Sequence, residues 1–158
     1  MYTIHQKQQI PVSLTEAWAF FSDPANLAAI TPDYMGFEII TGGDSTMFPG
    51  QVIEYIVTPI AGIETQWVTE ITHLIRKEYF VDEQRIGPYK FWHHKHFFKE
   101  INGGTEIEDK IHYQLPFGVI GRFAHALIVK RKLDEIFSYR KEKLESIFGK
   151  EATEIRKH

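Results

Sequence analysis

The stretch "GVIGRFAHALIVKRKLDEIFSYRKEKLESIFG", residues 118–149, decides the fold. Its apolar residues recur at intervals of three and four, and lysines and arginines fill the positions between them. This period predicts an amphipathic helix from about residue 120 to 148, with Gly149 as its C-cap. At about 1.5 Å per residue the helix would be roughly 40 Å long, which is enough to cross a whole domain.

The region before this helix, from about residue 36 to 116, has the shorter period of β-strands. Short, glycine-containing breaks separate its segments, and such spacing favours an antiparallel meander over parallel βαβ units. Residues 2–10 predict one further strand at the start of the chain. The six later segments are "FEIIT", "QVIEYIVTPI", "ETQWVTEITHLI", "KEYFVDEQRI", "YKFWHHKHFFKEI" and "TEIEDKIHYQL".

Two short helices are predicted between the first strand and this meander. Ser13 and Glu16 form a capping box for "SLTEAWAFFSD", and Asp23-Pro24 begins the segment "ANLAAIT". The predicted fold is therefore α+β, with a curved antiparallel sheet of about seven strands that grips the long C-terminal helix. We expect a single domain over residues 1–149 and a polar tail over 150–158. A curved sheet and a straight helix leave a space that becomes either a packed core or a ligand cavity.

The composition excludes several classes of protein. The 158 residues are 43% hydrophobic and carry a net charge of −3, so neither nucleic acid nor an anionic membrane is an expected partner. The absence of cysteine excludes disulfides and Cys-type zinc sites. The polar N-terminus is unlike a signal peptide, and no apolar run reaches the roughly 18 residues of a membrane span. A cytoplasmic location without stable membrane insertion is expected.

Three of the eight histidines lie close together in the predicted hairpin of residues 91–115. Strand alternation places His94 and His96 on one face and His93 on the other. A register that pairs lysines with glutamates across the strands, with a turn at Asn102-Gly103 or Gly103-Gly104, brings the apolar faces together. His94 and His96 then point inward and His93 points outward. Their inward neighbours would be Asp109 and Tyr113.

Buried polar groups need partners, so this cluster has three candidate roles. It is a self-satisfied network that fixes the sheet, a set of anchors for the polar end of a ligand, or an acid–base site with His94, His96 and Asp109 as candidate catalytic residues. His-x-His is a weak two-residue match to a metal site, and the sequence predicts neither metal nor cofactor.

Other residues are candidates for the surroundings of a cavity. The alternation in their strands predicts that Trp67, Trp92 and Phe98 face inward, as core or as cavity wall. Phe123 and Leu127 of the long helix would close the opposite side. For Asp82, an exposed position is the prediction.

The chain resembles the SRPBCC superfamily, the START/Bet v 1-like helix-grip proteins, and within it the small bacterial ligand-binding SRPBCC domains. The resemblance covers residues 2–149. It depends on Trp18 to Leu27, on Thr31-Pro32, and above all on "GPYKFWHHKHF", residues 87–97, followed by Phe98. Such a resemblance implies a cavity, while the activities of the superfamily range from lipid carriers to polyketide cyclases.

These observations together predict a protein that binds a hydrophobic small molecule, lipid, polyketide or isoprenoid-like, between the sheet and the C-terminal helix. A non-enzymatic binding protein is favoured. The first alternative is a cyclase/aromatase-like enzyme that uses a histidine–aspartate pair. The second is an interaction module with a vestigial cavity, and the sequence does not identify a protein partner for it.

Overall fold

The computed structural model describes residues 1–60, 63–116, 118 and 128–150, and of residues 59 and 60 the backbone alone. Seven strands form one sheet in the order β1-β7-β6-β5-β4-β3-β2, and all neighbours are antiparallel. The strands are β1 (Tyr2–Ile10), β2 (Glu38–Thr41), β3 (Val52–Ile60), β4 (Ile63–Ile75), β5 (Tyr79–Ile86), β6 (Phe91–Ile101) and β7 (Gly104–Gln114).

The helices of the described chain are two short ones after β1 and a long one at the end. They are α1 (Leu14–Phe21), α2 (Asn26–Ala29) and α3 (Lys130–Phe148), with a 3-10 helix at Asp33–Met35. The predicted α+β helix-grip architecture is confirmed. The predicted capping box is present, because the Glu16 amide donates to Ser13 Oγ and the Ser13 amide donates to the Glu16 carboxylate. Within the described residues, no helix is long and apolar enough to cross a membrane.

Parts of the sequence-based predictions concern residues that the structure does not describe. The long helix is confirmed from residue 130 to 148, whereas residues 119–127 of its predicted first half lie outside the described residues. Most of the predicted C-terminal tail, residues 151–158, lies outside them as well.

The β6–β7 hairpin turns at Asn102-Gly103, as one of the two predicted turns requires. Ile101 pairs with Gly104, and Gly103 has a φ of +84°, a left-handed conformation that glycine adopts without steric cost. The predicted pairing of lysines with glutamates is wrong except at Lys99 and Glu106, since Lys95 lies opposite Lys110. The register is set by the shared apolar face instead.

One hydrophobic cluster connects the short helices, the sheet and the long helix. Ile10 of β1, Trp18 of α1, Phe98 of β6 and Leu144 of α3 are all buried in it. The Trp18 and Phe98 rings meet edge to face with their centroids 5.4 Å apart. This packing closes one end of the space between the sheet and α3.

We predict that Leu144→Ala lowers the free energy of unfolding by about 2–5 kcal/mol, because Leu144 is 2% exposed and the substitution leaves a void in this cluster. Ile147→Ala is the matched control, because Ile147 lies on the same helix and is 42% exposed. It should change the free energy of unfolding by about 0.5 kcal/mol or less. Urea unfolding followed by circular dichroism measures both. Equal losses would show that α3 does not pack as described.

Candidate functional site

A cavity of about 200 Å³ lies between the inner face of the sheet, the short helices and α3. Most of its lining is apolar, and aromatic rings of four strands, of α1 and of α3 contribute much of it. Residues that form the apolar wall include Ile53, Tyr55, Val57, Trp67, Trp92 and Phe137.

Four polar side chains line one part of this cavity. They are Asp82 of β5, His94 and His96 of β6, and Arg140 of α3. The strand register brings the first three together, because Asp82 lies opposite His94 in the β5–β6 pair. In the β6–β7 pair His96 lies opposite Asp109, so that Asp109 stands on the other side of both histidines. We call these five residues the polar cluster.

Short contacts connect the members of the polar cluster. His94 Nε2 lies 3.0 Å from Asp109 Oδ1, and His96 Nε2 lies 2.7 Å from Asp82 Oδ2. The other ring nitrogen of each histidine also faces a carboxylate. Nδ1 of His94 is 3.6 Å from Asp82 Oδ2, and Nδ1 of His96 is 2.8 Å from Asp109 Oδ1 without the alignment of a hydrogen bond. The two imidazole rings lie 3.7 Å apart, centroid to centroid.

The surroundings shift the pKa values of the two histidines in opposite directions. Burial and the neighbouring His96 lower the pKa of His94 despite its two carboxylate neighbours. Burial also acts to lower the pKa of His96, but the adjacent carboxylates of Asp109 and Asp82 outweigh it, and the net shift is upward. His96 is therefore the histidine of the pair that binds a proton more readily.

Both carboxyl groups of the polar cluster are held ionised. Burial alone would raise the pKa of Asp109, yet Arg140 and the two histidines hold it well below its usual range. The pKa of Asp82 is also lowered, since His94, His96 and Arg140 outweigh its burial. With His96 protonated, two negative and two positive charges balance, which is the condition for burying ionised groups at modest cost.

Arg140 connects the polar cluster to the long helix. Arg140 is 8% exposed, and its Nη2 lies 3.8 Å from Asp109 Oδ1. Its guanidinium carbon also lies 5.4 Å from the centre of the Phe21 ring. Among the residues that the structure describes, Arg140 Nε has no hydrogen-bond partner. Arg140 thus places a positive charge beside Asp109 at the wall of the cavity.

The residues predicted from the sequence fall into three groups. Trp67, Trp92, His94 and His96 line the cavity. The other described candidates do not line it: Asp109 lies behind the histidines, Phe98 packs against Trp18, and Tyr113 packs against Trp92 with ring centroids 6.0 Å apart. The remaining candidates, Phe123 and Leu127, lie outside the described residues.

The predicted directions of the histidines are confirmed. His94 and His96 are 6% and 5% exposed and face inward. His93 lies on the opposite face, half-buried, where its Nδ1 is 2.6 Å from Glu83 Oε1. His93 thus lies on the outer face of the sheet, as predicted, and is paired there with Glu83.

The prediction of an exposed Asp82 is wrong, because β5 turns this side chain toward the histidines. Asp82 lies on the same face of β5 as the buried Phe80. Strand alternation could not identify the inner face of β5, because Val81 on the opposite face is buried too. Arg140 was not predicted to be a residue of the site. Its signal was its spacing, since it continues the buried helical stripe of Leu133, Phe137 and Leu144.

Comparisons with known proteins support the fold. No family model matches the chain, and no curated protein matches it. Among solved structures, a protein from Chromobacterium violaceum is 11% identical with a TM-score of 0.73, over 94% of this chain and 98% of that one. A START superfamily protein from Mycobacterium smegmatis is 12% identical with a TM-score of 0.70, over 94% and 97%. Ara h 8.0201 is 16% identical with a TM-score of 0.57, over 92% and 98%.

The chain therefore has the SRPBCC fold, the START/Bet v 1-like helix grip. The resemblance found in the sequence is confirmed at this level. The TM-scores of 0.57–0.73 establish a shared architecture. Sequence identities of 11–16% carry no information on a ligand.

We predict that Asp109→Asn destabilises the protein by about 3–5 kcal/mol at pH 7, because it leaves Arg140 and His96 without their shared counter-charge. The depressed pKa of Asp109 contributes stability that is fully present above about pH 4 and is lost as the pH falls through the folded pKa. The difference between wild type and variant should therefore be constant from pH 7 to about pH 5 and shrink as the pH falls below about 4. Urea unfolding across this range measures it.

Glu142→Gln, which removes an exposed carboxylate of α3, is the control for this experiment. It should change the free energy of unfolding by about 0.5 kcal/mol or less. A destabilisation by Asp109→Asn that is the same at pH 3 and pH 7 would contradict the ionic role of Asp109.

Proposed function

We propose that this protein binds a hydrophobic small molecule in the cavity between the sheet and α3. The observation that carries the proposal is a space of about 200 Å³ with an apolar wall and one charge-balanced polar part. Ligand sites commonly combine such a wall with a few polar groups that fix orientation. The SRPBCC fold is compatible with this role.

The volume limits the size of the ligand. An apolar cavity of about 150 Å³ accommodates benzene, so 200 Å³ suits a molecule of one or two rings or a short isoprenoid. A lipid with long acyl chains would need a much larger space, since pockets for drug-sized ligands begin at about 300 Å³. Among the ligand classes predicted from the sequence, small aromatic polyketide-like and short isoprenoid-like molecules fit best.

The polar groups of the cavity wall indicate where the ligand's own polar atom would lie. The Tyr55 hydroxyl and the Trp67 indole N–H both contact Thr69 Oγ1, at 2.7 and 3.0 Å, and so satisfy one another. Arg140 and the carboxylate of Asp82, which both line the cavity, are then the charged groups best placed to bond a ligand. Because the cluster is already charge-balanced, a neutral hydroxyl or carbonyl group suits it better than a carboxylate.

An enzyme is the second candidate function, and the His94–Asp109 pair favours it. In the neutral ring, Nε2 of His94 donates to Asp109, which leaves Nδ1 as an acceptor on the cavity side. An imidazole oriented by a carboxylate in this way is suited to remove a proton from a bound molecule. A cyclase-like activity would use this nitrogen. The interaction module has less support, because its cavity would be filled by side chains.

We predict that Val57→Phe weakens binding of 1-naphthol by at least about ten-fold, since Val57 is 3% exposed, lines the cavity, and a larger side chain there occupies the ligand space. A fluorescence titration of the full chain with 1-naphthol, in the presence of a chelator, measures the affinity.

Val52→Phe is the matched control, because Val52 lies on the same strand and is 52% exposed on the outer face. It should leave the affinity within about two-fold. If wild type fails to bind 1-naphthol, or if both variants bind it as tightly as wild type does, the cavity is not the binding site.

A further inference from the structure

We propose that Asp82, His94 and His96 form a binding site for a divalent transition-metal ion at the polar part of the cavity. One ligand atom from each of the three residues lies within 4.8 Å of the other two. The proposal goes beyond hydrophobic binding and does not depend on it.

The distances between the donor atoms are close to those of a metal site. Two ligands held about 2.1 Å from a tetrahedral zinc ion lie roughly 3.4 Å apart. His94 Nδ1 is 3.6 Å from Asp82 Oδ2, which already matches this spacing. His96 Nε2 is 2.7 Å from the same oxygen, and the two atoms would move apart by less than about 1 Å on binding. The metal ion would take the place of the proton on this nitrogen, and that proton would be released to solvent.

The hydrogen bond of His94 orients its ring for this role. A carboxylate can only accept, so Nε2 of the neutral ring carries the proton toward Asp109 Oδ1, and Nδ1 presents its lone pair toward Asp82. A lone pair and a carboxylate oxygen that face each other are both acceptors. They attract a cation or a hydrogen-bond donor between them.

Asp109 supplies the outer support that metal-binding histidines usually have. The same oxygen lies 3.0 Å from His94 Nε2 and 2.8 Å from His96 Nδ1, on the side of each ring that faces away from Asp82. Such outer carboxylates fix the ring orientation and increase the basicity of the metal-binding nitrogen. Arg140, 3.8 Å from this oxygen, balances the charge of Asp109 and leaves Asp82 as the anionic ligand.

The ligand set indicates the kind of metal. Two imidazoles with one carboxylate suit zinc or ferrous iron, whereas calcium and magnesium require oxygen ligands. Three protein ligands leave at least one coordination position open, and all three residues line the cavity. The sequence predicted no metal, because His-x-His is a weak two-residue match. The carboxylate considered with it was Asp109, whereas the proposed site takes Asp82 from β5.

The test is a titration of the untagged full chain with Zn²⁺ alone by calorimetry, and with Co²⁺ alone by visible absorption. We expect one ion per chain and, for Co²⁺, the absorption band of a site with nitrogen and oxygen ligands. His94→Ala and Asp82→Asn should each abolish stoichiometric binding. Asp109→Asn should weaken binding by about 10- to 100-fold, as loss of an outer carboxylate does.

His93→Ala is the matched control, since it removes the neighbouring imidazole from the opposite face. It should leave the affinity for Zn²⁺ within about two-fold. Circular dichroism confirms that each variant is folded, and Asp82→Asn, which keeps the shape of the side chain, replaces His94→Ala if that variant unfolds. The proposal is overturned if wild type binds no stoichiometric metal, or if His93→Ala weakens binding as much as Asp82→Asn does. The 1-naphthol titration contains a chelator, so its outcome is independent of this one.

Discussion

The register of three neighbouring strands decides what this protein holds in its interior. Because side chains alternate along a strand, a shift of one residue in β6 would exchange His94 and His96 for His93 and Lys95 on the inner face. The observed register places four ionisable groups of β5, β6 and β7 within a few ångströms of one another. The Asn102-Gly103 turn and the buried neighbours Trp92 and Phe98 hold this register in place.

Because so many ionisable groups are buried in the sheet, their stability also depends on the long helix. The two carboxylates need positive partners, and the described strand residues of the polar cluster that can supply one are histidines, whose charge depends on pH. Arg140 brings a permanent positive charge from α3. The helix therefore supplies both apolar side chains that cover the sheet and a positive charge that balances its carboxylates. Both come from the same buried stripe of the helix.

Much of this architecture could be predicted from local patterns, while the composition of the site could not. Strand alternation is a local property, and it placed His94, His96 and Trp67 on the inner face. The inclusion of Asp82 depends on β5, where the adjacent Phe80 and Val81 are both buried and alternation gives no clear answer. Arg140 follows the helical period, but a charged residue is normally exposed, and only the two buried carboxylates explain why this one is not. The cavity volume depends on how large side chains pack, which no single segment encodes.

An apolar space of this size must have a reason to remain open. An enclosed and empty cavity in a protein core costs about 24 cal/mol per Å³, so a space of 200 Å³ would cost at most about 5 kcal/mol if it were closed and dry. That is a large part of the 5–15 kcal/mol by which domains are typically stable. The large side chains of Tyr55 and Trp67 would lose their hydrogen bonds to Thr69 if they turned into the space. A rigid wall around an open space lowers the stability of the free protein, and a ligand that fills the space would raise it. This is the arrangement expected of a binding site.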